Sequence, residues 1–360
     1  MNCTALHQFV PSLLAGDAVG AHMRHVQRIL HDHGVDSHIY AVATDEPSRP
    51  FARPYTDYVG GPAIYQFAVG HDLAGYVMSH VDRLVVNTHN VTPPSYFARW
   101  DQPDLSAAAR RGVDELGLLG ATASLGVADS EFNAGPLRAA GCPRVEVVPI
   151  LIEREHVHVD VELAEHLRAT RRPGSSDWLF TGRIVPNKAQ HDVVRAFAWY
   201  RRTVDDGARL WLVGRTDSPM YERALRHLVG ALGLAGAVEI TGSISRAALI
   251  AHMANADVFV CLSDHEGFGV PLIEAMRHSL PVVAFDAGAV GETLRGAGIL
   301  LDDKAPASVA AAVCRALDPD ERARLNAAGR RRADELSIER VGALTWDVLS
   351  SWLEGTDAAA

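Results

Sequence analysis

The sequence predicts an α/β protein made of two doubly wound, Rossmann-like domains, each a parallel sheet flanked by helices, and three observations carry that expectation. Short β-rich runs alternate with amphipathic helical stretches almost from end to end, the βα pattern that winds a parallel sheet. The 360 residues suit two domains of ordinary size. The alternation breaks once, after Ile150, at a polar stretch that ends in the breaker cluster Arg-Arg-Pro-Gly-Ser-Ser at 171–176.

In the first half, strands are expected at 5–10, 36–42, 83–89, 121–128 and 145–149. The helix at 19–33 is the clearest element. Val19, Met23, Val26, Ile29 and Leu30 recur at spacings of three and four while Arg24 and Arg28 face outward, and Gly34 supplies the C-terminal cap. A polar helix follows at 161–172. The second series has strands at 177–181, 209–213, 237–241, 257–262 and 281–285, with helices near 189–204, 219–233, 245–254 and 271–278. From 305 to 352 the chain reads as helix only. The expected division is a first domain over 1–150, a linker over 151–176, a second domain over 177–337 and a last helix over 338–354. In open parallel sheets ligands bind beyond the carboxyl ends of the strands, so two such domains are expected to face a central cleft that holds the site.

Composition narrows the function. With 48% hydrophobic and 22% charged residues the chain is no disordered or fibrous protein. Thirty-four basic against 44 acidic residues give a formal charge of −10, which argues against a nucleic-acid partner and means that a phosphate ligand needs a local basic site. Residues 1–150 hold 10 Arg against 15 Asp and Glu, so docking on an anionic membrane is not indicated. Cys3, Cys142, Cys261 and Cys314 are scattered, with no C-x-x-C, and are expected to be free thiols in a reducing compartment. The amino terminus lacks a signal-peptide pattern and no run of about 18 apolar residues occurs, so the expected location is cytoplasmic, with no transmembrane segment. Only two of the 34 basic residues, Lys188 and Lys304, are lysines.

Two segments carry chemistry. Leu262-Ser-Asp-His-Glu-Gly-Phe-Gly-Val-Pro-Leu-Ile-Glu-Ala-Met276 follows an apolar strand and leads into a helix. Gly267 and Gly269 let the backbone turn and approach a ligand, and Pro271 suits the first helical turn. Unpaired amides and the positive end of the helix dipole then form a diphosphate site, with Glu266 and Glu274 able to accept from sugar and ribose hydroxyls. Taken alone, Glu274 reads as a carboxylate stabilising a helix start. The second segment, Phe180-Thr-Gly-Arg-Ile-Val-Pro-Asn-Lys-Ala-Gln-His191, uses Gly182 and Pro186 to hold Arg183 and Lys188 five residues apart, where both can converge on one diphosphate. Alone, these would be two solvated loop cations.

Together with Trp211-Leu-Val-Gly214, Thr241-Gly242-Ser243-Ile244 and Ala256-Asp-Val-Phe-Val260, the two segments resemble the retaining nucleotide-sugar glycosyltransferases of family 4, which have the two-domain GT-B fold. The resemblance implies that Arg183 and Lys188 neutralise the donor diphosphate, that Glu266 binds the donor sugar and Glu274 the ribose, and that Gly182, Gly267, Phe268, Gly269 and Val270 line the donor. It assigns the nucleobase to backbone near Gly242, Ser243 and Ile244. It makes the first domain the acceptor side and the second the donor side, with the last helix brought back against the first. Ala15-Gly-Asp-Ala-Val-Gly20 looks like the family's glycine loop, which adds Gly16 and Asp17 to the donor contacts; read without the family, it is an ordinary turn with Asp17 at a helix start. His89, at a strand end, is carried over as a donor-sugar contact. The run at 89–99 resembles a bacterial subgroup with Asn-x-Thr-Pro-Pro, and Asn90, Thr92, Tyr96 and Arg99 are assigned to the acceptor.

The function expected from the resemblance is transfer of a sugar from a nucleoside-diphosphate sugar, in its UDP or GDP form, to a carbohydrate, lipid-linked or small-molecule acceptor with retained configuration. The setting would be polysaccharide, glycolipid or glycoconjugate synthesis. No metal and no cofactor is expected, because Arg183, Lys188 and the helix terminus can take the leaving group's charge. The one Asp-x-Asp, Asp318-Pro-Asp320, reads as a helix cap. Glu266 is expected to be a sugar ligand and not a covalent nucleophile. The alternatives are an epimerase or another GT-B sugar-nucleotide enzyme, or a non-catalytic nucleotide-sugar-binding protein.

Overall fold

The computed structural model describes residues 5–100, 102–152 and 158–355. They form two compact units. The first takes the described residues of Met1–Ser95, Pro103–Arg154 and Leu336–Ala360, the second those of Tyr96–Gln102 and Glu155–Glu335.

In chain order the first unit runs β1 (His7–Leu13), α1 (Ala18–Asp32), β2 (Ile39–Thr44), β3 (Ala52–Pro54), β4 (Ala63–Phe67), α2 (Leu73–His80), β5 (Leu84–Thr88), α3 (Pro103–Thr122), β6 (Leu125–Ala128), α4 (Glu131–Ala139) and β7 (Val145–Val147). The strands are parallel in the order β3-β2-β1-β4-β5-β6-β7. Alternation along β4 sends Tyr65 and Phe67 to one apolar cluster with Phe9, Tyr40 and Leu119, and Ile64 to the other with Val26, Val85 and Leu125. β4, which lies between β1 and β5, was not expected from the sequence. β1 also continues past Val10 through Pro11. It pairs with β4 only as far as Phe9, so the missing proline N–H removes nothing from that ladder. The strand expected at 121–128 starts at Leu125, because Ala121 and Thr122 still belong to α3.

The second unit runs α5 (Val161–Ala169), β8 (Asp177–Thr181), α6 (Gln190–Thr203), β9 (Arg209–Val213), α7 (Pro219–Ala231), β10 (Val238–Gly242), α8 (Arg246–Asn255), β11 (Val258–Cys261), α9 (Val270–Arg277), β12 (Val282–Phe285), α10 (Val290–Leu294), β13 (Ile299–Leu301), α11 (Pro306–Leu317) and α12 (Pro319–Glu335). Its sheet is parallel in the order β10-β9-β8-β11-β12-β13. β8 and β11 are buried throughout, as strands covered on both faces must be. α5, read from the sequence as part of a linker, belongs to this unit, and the Asp160 N–H just before it donates to the Ala247 carbonyl at 3.2 Å. Asp318 Oδ1 accepts from the N–H groups of Asp320 and Glu321, each at 3.2 Å, and so caps α12.

The last helix, α13 (Ile338–Glu354), groups with the first unit and buries Val341, Val348, Leu349 and Trp352 among its apolar side chains. Trp352 Nε1 donates to Ser124 Oγ at 3.0 Å, and the Arg83 guanidinium stacks 4.3 Å from the Trp352 ring. Among the described residues Cys142, Cys261 and Cys314 are free thiols, while Cys3 lies outside them. No described helix is long and apolar enough to cross a membrane.

Candidate active site

Three glycines end adjacent strands of the second unit. Gly182 follows β8, Gly214 follows β9, and Gly242 is the last residue of β10. The Gly182 N–H donates to the Val213 carbonyl at 2.9 Å and the Gly214 N–H to the Gly242 carbonyl at 3.1 Å. A side chain at Gly214 would place its Cβ 2.0 Å from the Gly182 carbonyl oxygen, so these loops meet backbone to backbone. The packing fixes where the chain leaves each strand, and therefore where Arg183 and Arg215 begin.

Arg183 is solvent-facing. Its Nη1 lies 3.3 Å from Asp217 Oδ2, and the same carboxylate holds Arg215 through Nε at 2.6 Å. Burial alone would push the Asp217 carboxyl up, but Arg215 and Arg183 outweigh it and leave its pKa below the ordinary value. Gln190 Nε2 donates to the Arg183 carbonyl at 2.8 Å and ties this loop to the start of α6.

Lys188 and Glu266 meet at 2.6 Å, both largely buried, with side-chain exposures of 17% and 9%. Their loops are joined a second time by the Asp264 N–H, which donates to the Asn187 carbonyl at 2.8 Å. Glu266 is held from behind. Its carbonyl accepts from the Ala289 N–H at 2.9 Å, and Gly288 passes so close that a Cβ there would lie 2.2 Å from that oxygen. Thr293 Oγ1 donates to the Phe268 carbonyl at 2.5 Å. Gly269, at φ +89°, starts α9 with no side chain capping it, and Val270 and Pro271 form the first turn. Pro271 has no N–H and the Leu272 N–H donates to the Gly269 carbonyl at 2.9 Å, so what this helix start offers beside Gly267 and Phe268 is the positive end of its dipole, with no side-chain cap. One turn on, Glu274 pairs with Arg246 Nη1 at 2.6 Å. Gly242 takes φ +70°, with Ser243 exposed and Ile244 half-buried after it, before Ser245 caps α8.

The second unit therefore brings Gly182, Arg183, Lys188, Glu266, Gly267, Phe268, Gly269, Val270 and Glu274 to the carboxyl ends of β8 and β11 and the helix starts that follow. Gly242, Ser243 and Ile244 lie at the end of β10. Sequence reasoning named Gly214 only as the end of the Trp211–Gly214 motif, with no role, and missed Arg215, Asp217, Arg246 and Gly288. One signal was there to be read: Gly214-Arg215 repeats, after β9, the Gly182-Arg183 pair after the neighbouring strand.

Tyr96 and Arg99 were expected on the acceptor side with Asn90 and Thr92. Their place in the fold differs from the expected first domain over 1–150, because Tyr96–Gln102 groups with the second unit while Asn90 and Thr92 stay in the first. Tyr96 Oη donates to the Asp264 carbonyl at 3.3 Å, Trp100 packs edge-on against Tyr221 at 4.9 Å, and Gln102 Nε2 donates to the Asp217 carbonyl at 2.7 Å.

In the first unit Gly16 adopts φ +77° with open space where a Cβ would stand, and Asp17 Oδ2 caps α1 by accepting from the Gly20 N–H at 3.3 Å. The donor role expected of Asp17 therefore competes with a capping bond. The His89 ring is buried at 2% exposure. The Met23 carbonyl, which can only accept, takes Gln8 Nε2 at 2.9 Å, and Gln8 Oε1 takes Gln66 Nε2 at 3.0 Å. Gln66 Oε1 therefore faces His89 Nε2 at 2.6 Å, while Asp129 Oδ2 lies 2.9 Å from Nδ1. Both ring nitrogens are committed, so the sugar contact expected of His89 needs its carbon edge or release of Gln66. Asn90 holds φ +91°, a conformation asparagine tolerates better than most residues. Among the described residues no group of three His, Cys, Asp or Glu side chains is arranged to hold a metal ion.

The spacing of these loops matches known proteins. The family model for glycosyl transferases group 1 matches residues 175–319. Residues 175–319 are therefore similar to a group 1 glycosyltransferase domain. A GDP-mannose-dependent alpha-(1-6)-phosphatidylinositol monomannoside mannosyltransferase of Mycobacterium tuberculosis is 33% identical over 230 residues, 60% of this chain and 57% of the relative. A D-inositol 3-phosphate glycosyltransferase of Kineococcus radiotolerans is 34% identical over 175 residues, 43% of this chain and 39% of that protein. The chain thus spans little more than half of the first relative and less of the second. Among solved structures, the sucrose-phosphate synthase of Thermosynechococcus elongatus superposes with a TM-score of 0.76 at 17% identity, covering 98% of this chain and all of that one. HepE of Anabaena, solved with UDP and glucose, gives 0.72 at 16% identity over 97% of this chain and 100% of its own. The two-domain α/β fold of GT-B type expected from the sequence stands, and so does the similarity to group 1 glycosyltransferases.

Proposed function

We propose that this protein moves a sugar from a nucleoside-diphosphate sugar to an acceptor hydroxyl with retention of anomeric configuration, without a metal or cofactor, in the cytoplasm, during synthesis of a polysaccharide, glycolipid or other glycoconjugate. The observation that carries the reading is the Lys188–Glu266 pair at 2.6 Å beside the uncapped start of α9, with Arg183 on the adjoining strand end. The matched relatives use GDP-mannose or act on inositol phosphate, and HepE was solved with UDP, so UDP- and GDP-sugars are the donors to try first.

In the step itself the bond from the anomeric carbon to the diphosphate oxygen breaks as the bond to the acceptor oxygen forms on the same face. The acceptor proton passes to the departing phosphate. Negative charge grows on the leaving diphosphate, where the Lys188 ammonium, the Arg183 guanidinium and the positive end of α9 can meet it. Groups of this kind, fixed before the reaction, are worth on the order of 2.7–4 kcal/mol each. Glu266 orients the Lys188 ammonium and accepts from sugar hydroxyls.

Arg183→Ala and Lys188→Ala should each lower turnover at saturating donor by roughly 10²–10³. Near-normal turnover in both would overturn the leaving-group assignment. Loss of activity on chelation would overturn metal independence, and a glycosyl adduct on Glu266 detected by mass spectrometry would overturn its role as a ligand.

A further inference from the structure

Of the chain's two lysines, Lys188 is absorbed by the reading above and Lys304 is not. Lys304 follows β13 in Asp302-Asp303-Lys304, and its ammonium lies in a largely buried setting with 14% side-chain exposure. It pairs with the Asp264 carboxylate, stands 3.5 Å from Asp192 Oδ2, and lies over the Phe285 ring at 4.6 Å from its centroid. Asp264 is two residues before Glu266. Through its own N–H it is bonded to the Asn187 carbonyl, next to Lys188. Asp192 has further partners in Arg195 Nη1 at 3.1 Å and His191 Nε2 at 3.5 Å.

We infer that Lys304 is a positioning residue of the donor site: it neutralises Asp264 and so keeps a second carboxylate from drawing Lys188 away from Glu266 or repelling a diphosphate. The inference rests on the reading of this loop as a nucleoside-diphosphate-sugar site. With its cation removed, the Asp264 carboxylate, 35% exposed, is partly screened but still acts on the more deeply buried Lys188 ammonium of the joined loop. Lys304 reaches the loop from beyond the last strand of the sheet, some 40 positions downstream of Asp264, and its ammonium is the one side-chain cation bonded to that carboxylate among the described residues. Arginine at the same place keeps the charge, while methionine keeps the packing on Phe285 and loses it.

The test measures UDP and GDP binding, and donor KM and kcat, in the full chain. Lys304→Met should weaken nucleoside-diphosphate binding and raise donor KM roughly tenfold with kcat changed by less than about threefold, and Lys304→Arg should stay near wild type. Adding Asp264→Asn to Lys304→Met should return donor KM to within about threefold of wild type, which loss of packing alone does not allow. An unchanged KM in folded Lys304→Met, or no recovery in the double variant, overturns the inference. If Lys304→Met does not fold, Asp264→Asn alone decides, since it must leave donor KM unchanged or lower; a tenfold rise overturns the inference. Lys188→Ala separates the two ideas. If it leaves nucleotide binding intact, the donor-site reading fails and this inference fails with it; if it weakens binding while Lys304→Met does not, only the inference is lost.

Discussion

Replacing Gly214 by alanine tests whether backbone packing behind the motif loops sets the position of Arg183. The new Cβ would stand 2.0 Å from the Gly182 carbonyl oxygen and 2.6 Å from its carbon, at φ +149°. Both neighbours are backbone, so no side chain can swing aside and the Gly182 loop must retreat by about 1 Å to reach ordinary contact. That movement strains the Gly182 N–H bond to the Val213 carbonyl and carries Arg183 with it. A displacement of 1 Å in a group that orients or stabilises the reacting centre can cost about 10²-fold in rate. Turnover of Gly214→Ala should therefore fall by about two orders of magnitude, with a stability loss of about 1–3 kcal/mol from backbone strain. The assay is release of UDP or GDP from the sugar nucleotide, run alongside urea unfolding. Gly117→Ala, mid-helix in α3 with nothing within 4 Å of its Cβ, is the control and should gain about 0.5–1 kcal/mol. Wild-type turnover in a Gly214→Ala protein of normal stability would refute the reasoning.

Two further outcomes follow from the geometry. Glu274→Gln removes a charge that Arg246 holds at 2.6 Å; if the carboxylate also accepts from ribose hydroxyls, donor KM should rise about tenfold with kcat little changed, and unchanged kinetics would remove Glu274 from the donor contacts. Stability should decline in mild acid. Burial pushes His252 down to about 4, and it lowers His7, His22, His191 and His278 in the same direction. The folded state thus refuses protons that the unfolded chain accepts near the ordinary value. The His252 contribution is complete above about 6.5 and is lost as pH falls from there toward 4, a change of order 2–3 kcal/mol. Urea midpoints between pH 4 and 7 should show this slope, made shallower by His252→Leu; a flat profile would contradict the burial argument.

What the sequence disclosed follows the physics of each element. β8 and β9 were expected with the bounds they have, because strands covered on both faces read as apolar runs and these two stop at a glycine. β13 and α10, of three and five residues, are too short for a periodicity to show. β4 was overlooked although Gly60-Gly61-Pro62 and Gly70 bracket it, since Gln66 interrupts its apolar run; that glutamine is buried because it serves the chain of bonds from Met23 to His89. His89 was placed correctly at a strand end, but what its ring can do depends on Gln66 and Asp129, 23 and 40 residues away. The segment Tyr96–Gln102, which groups with the second unit, touches Asp264, Tyr221 and Asp217, each more than 100 positions downstream, and no local pattern encodes such contacts.

The same limit explains the carboxylates around the site. A sequence shows Arg183, Lys188, Arg215, Arg246 and Lys304 as cations; the structure shows each bound to an acid, namely Asp217, Glu266, Asp217, Glu274 and Asp264. Like charges near one another repel, and intramolecular counter-ions relieve that while fixing where each cation points. The arrangement holds a ligand only if the pairs can yield. Partly exposed pairs contribute about 0–1 kcal/mol each, whereas a diphosphate brings several charge-assisted hydrogen bonds at once. Arg183, with its side chain 55% exposed and held at 3.3 Å, is the cation that yields most readily, while Lys188, at 2.6 Å and 17% exposed, is the one that stays. On the proposed leaving-group reading, following the departing phosphate suits the more exposed guanidinium and marking its starting position suits the buried ammonium, so the different burial of the two residues fits each to one of these tasks.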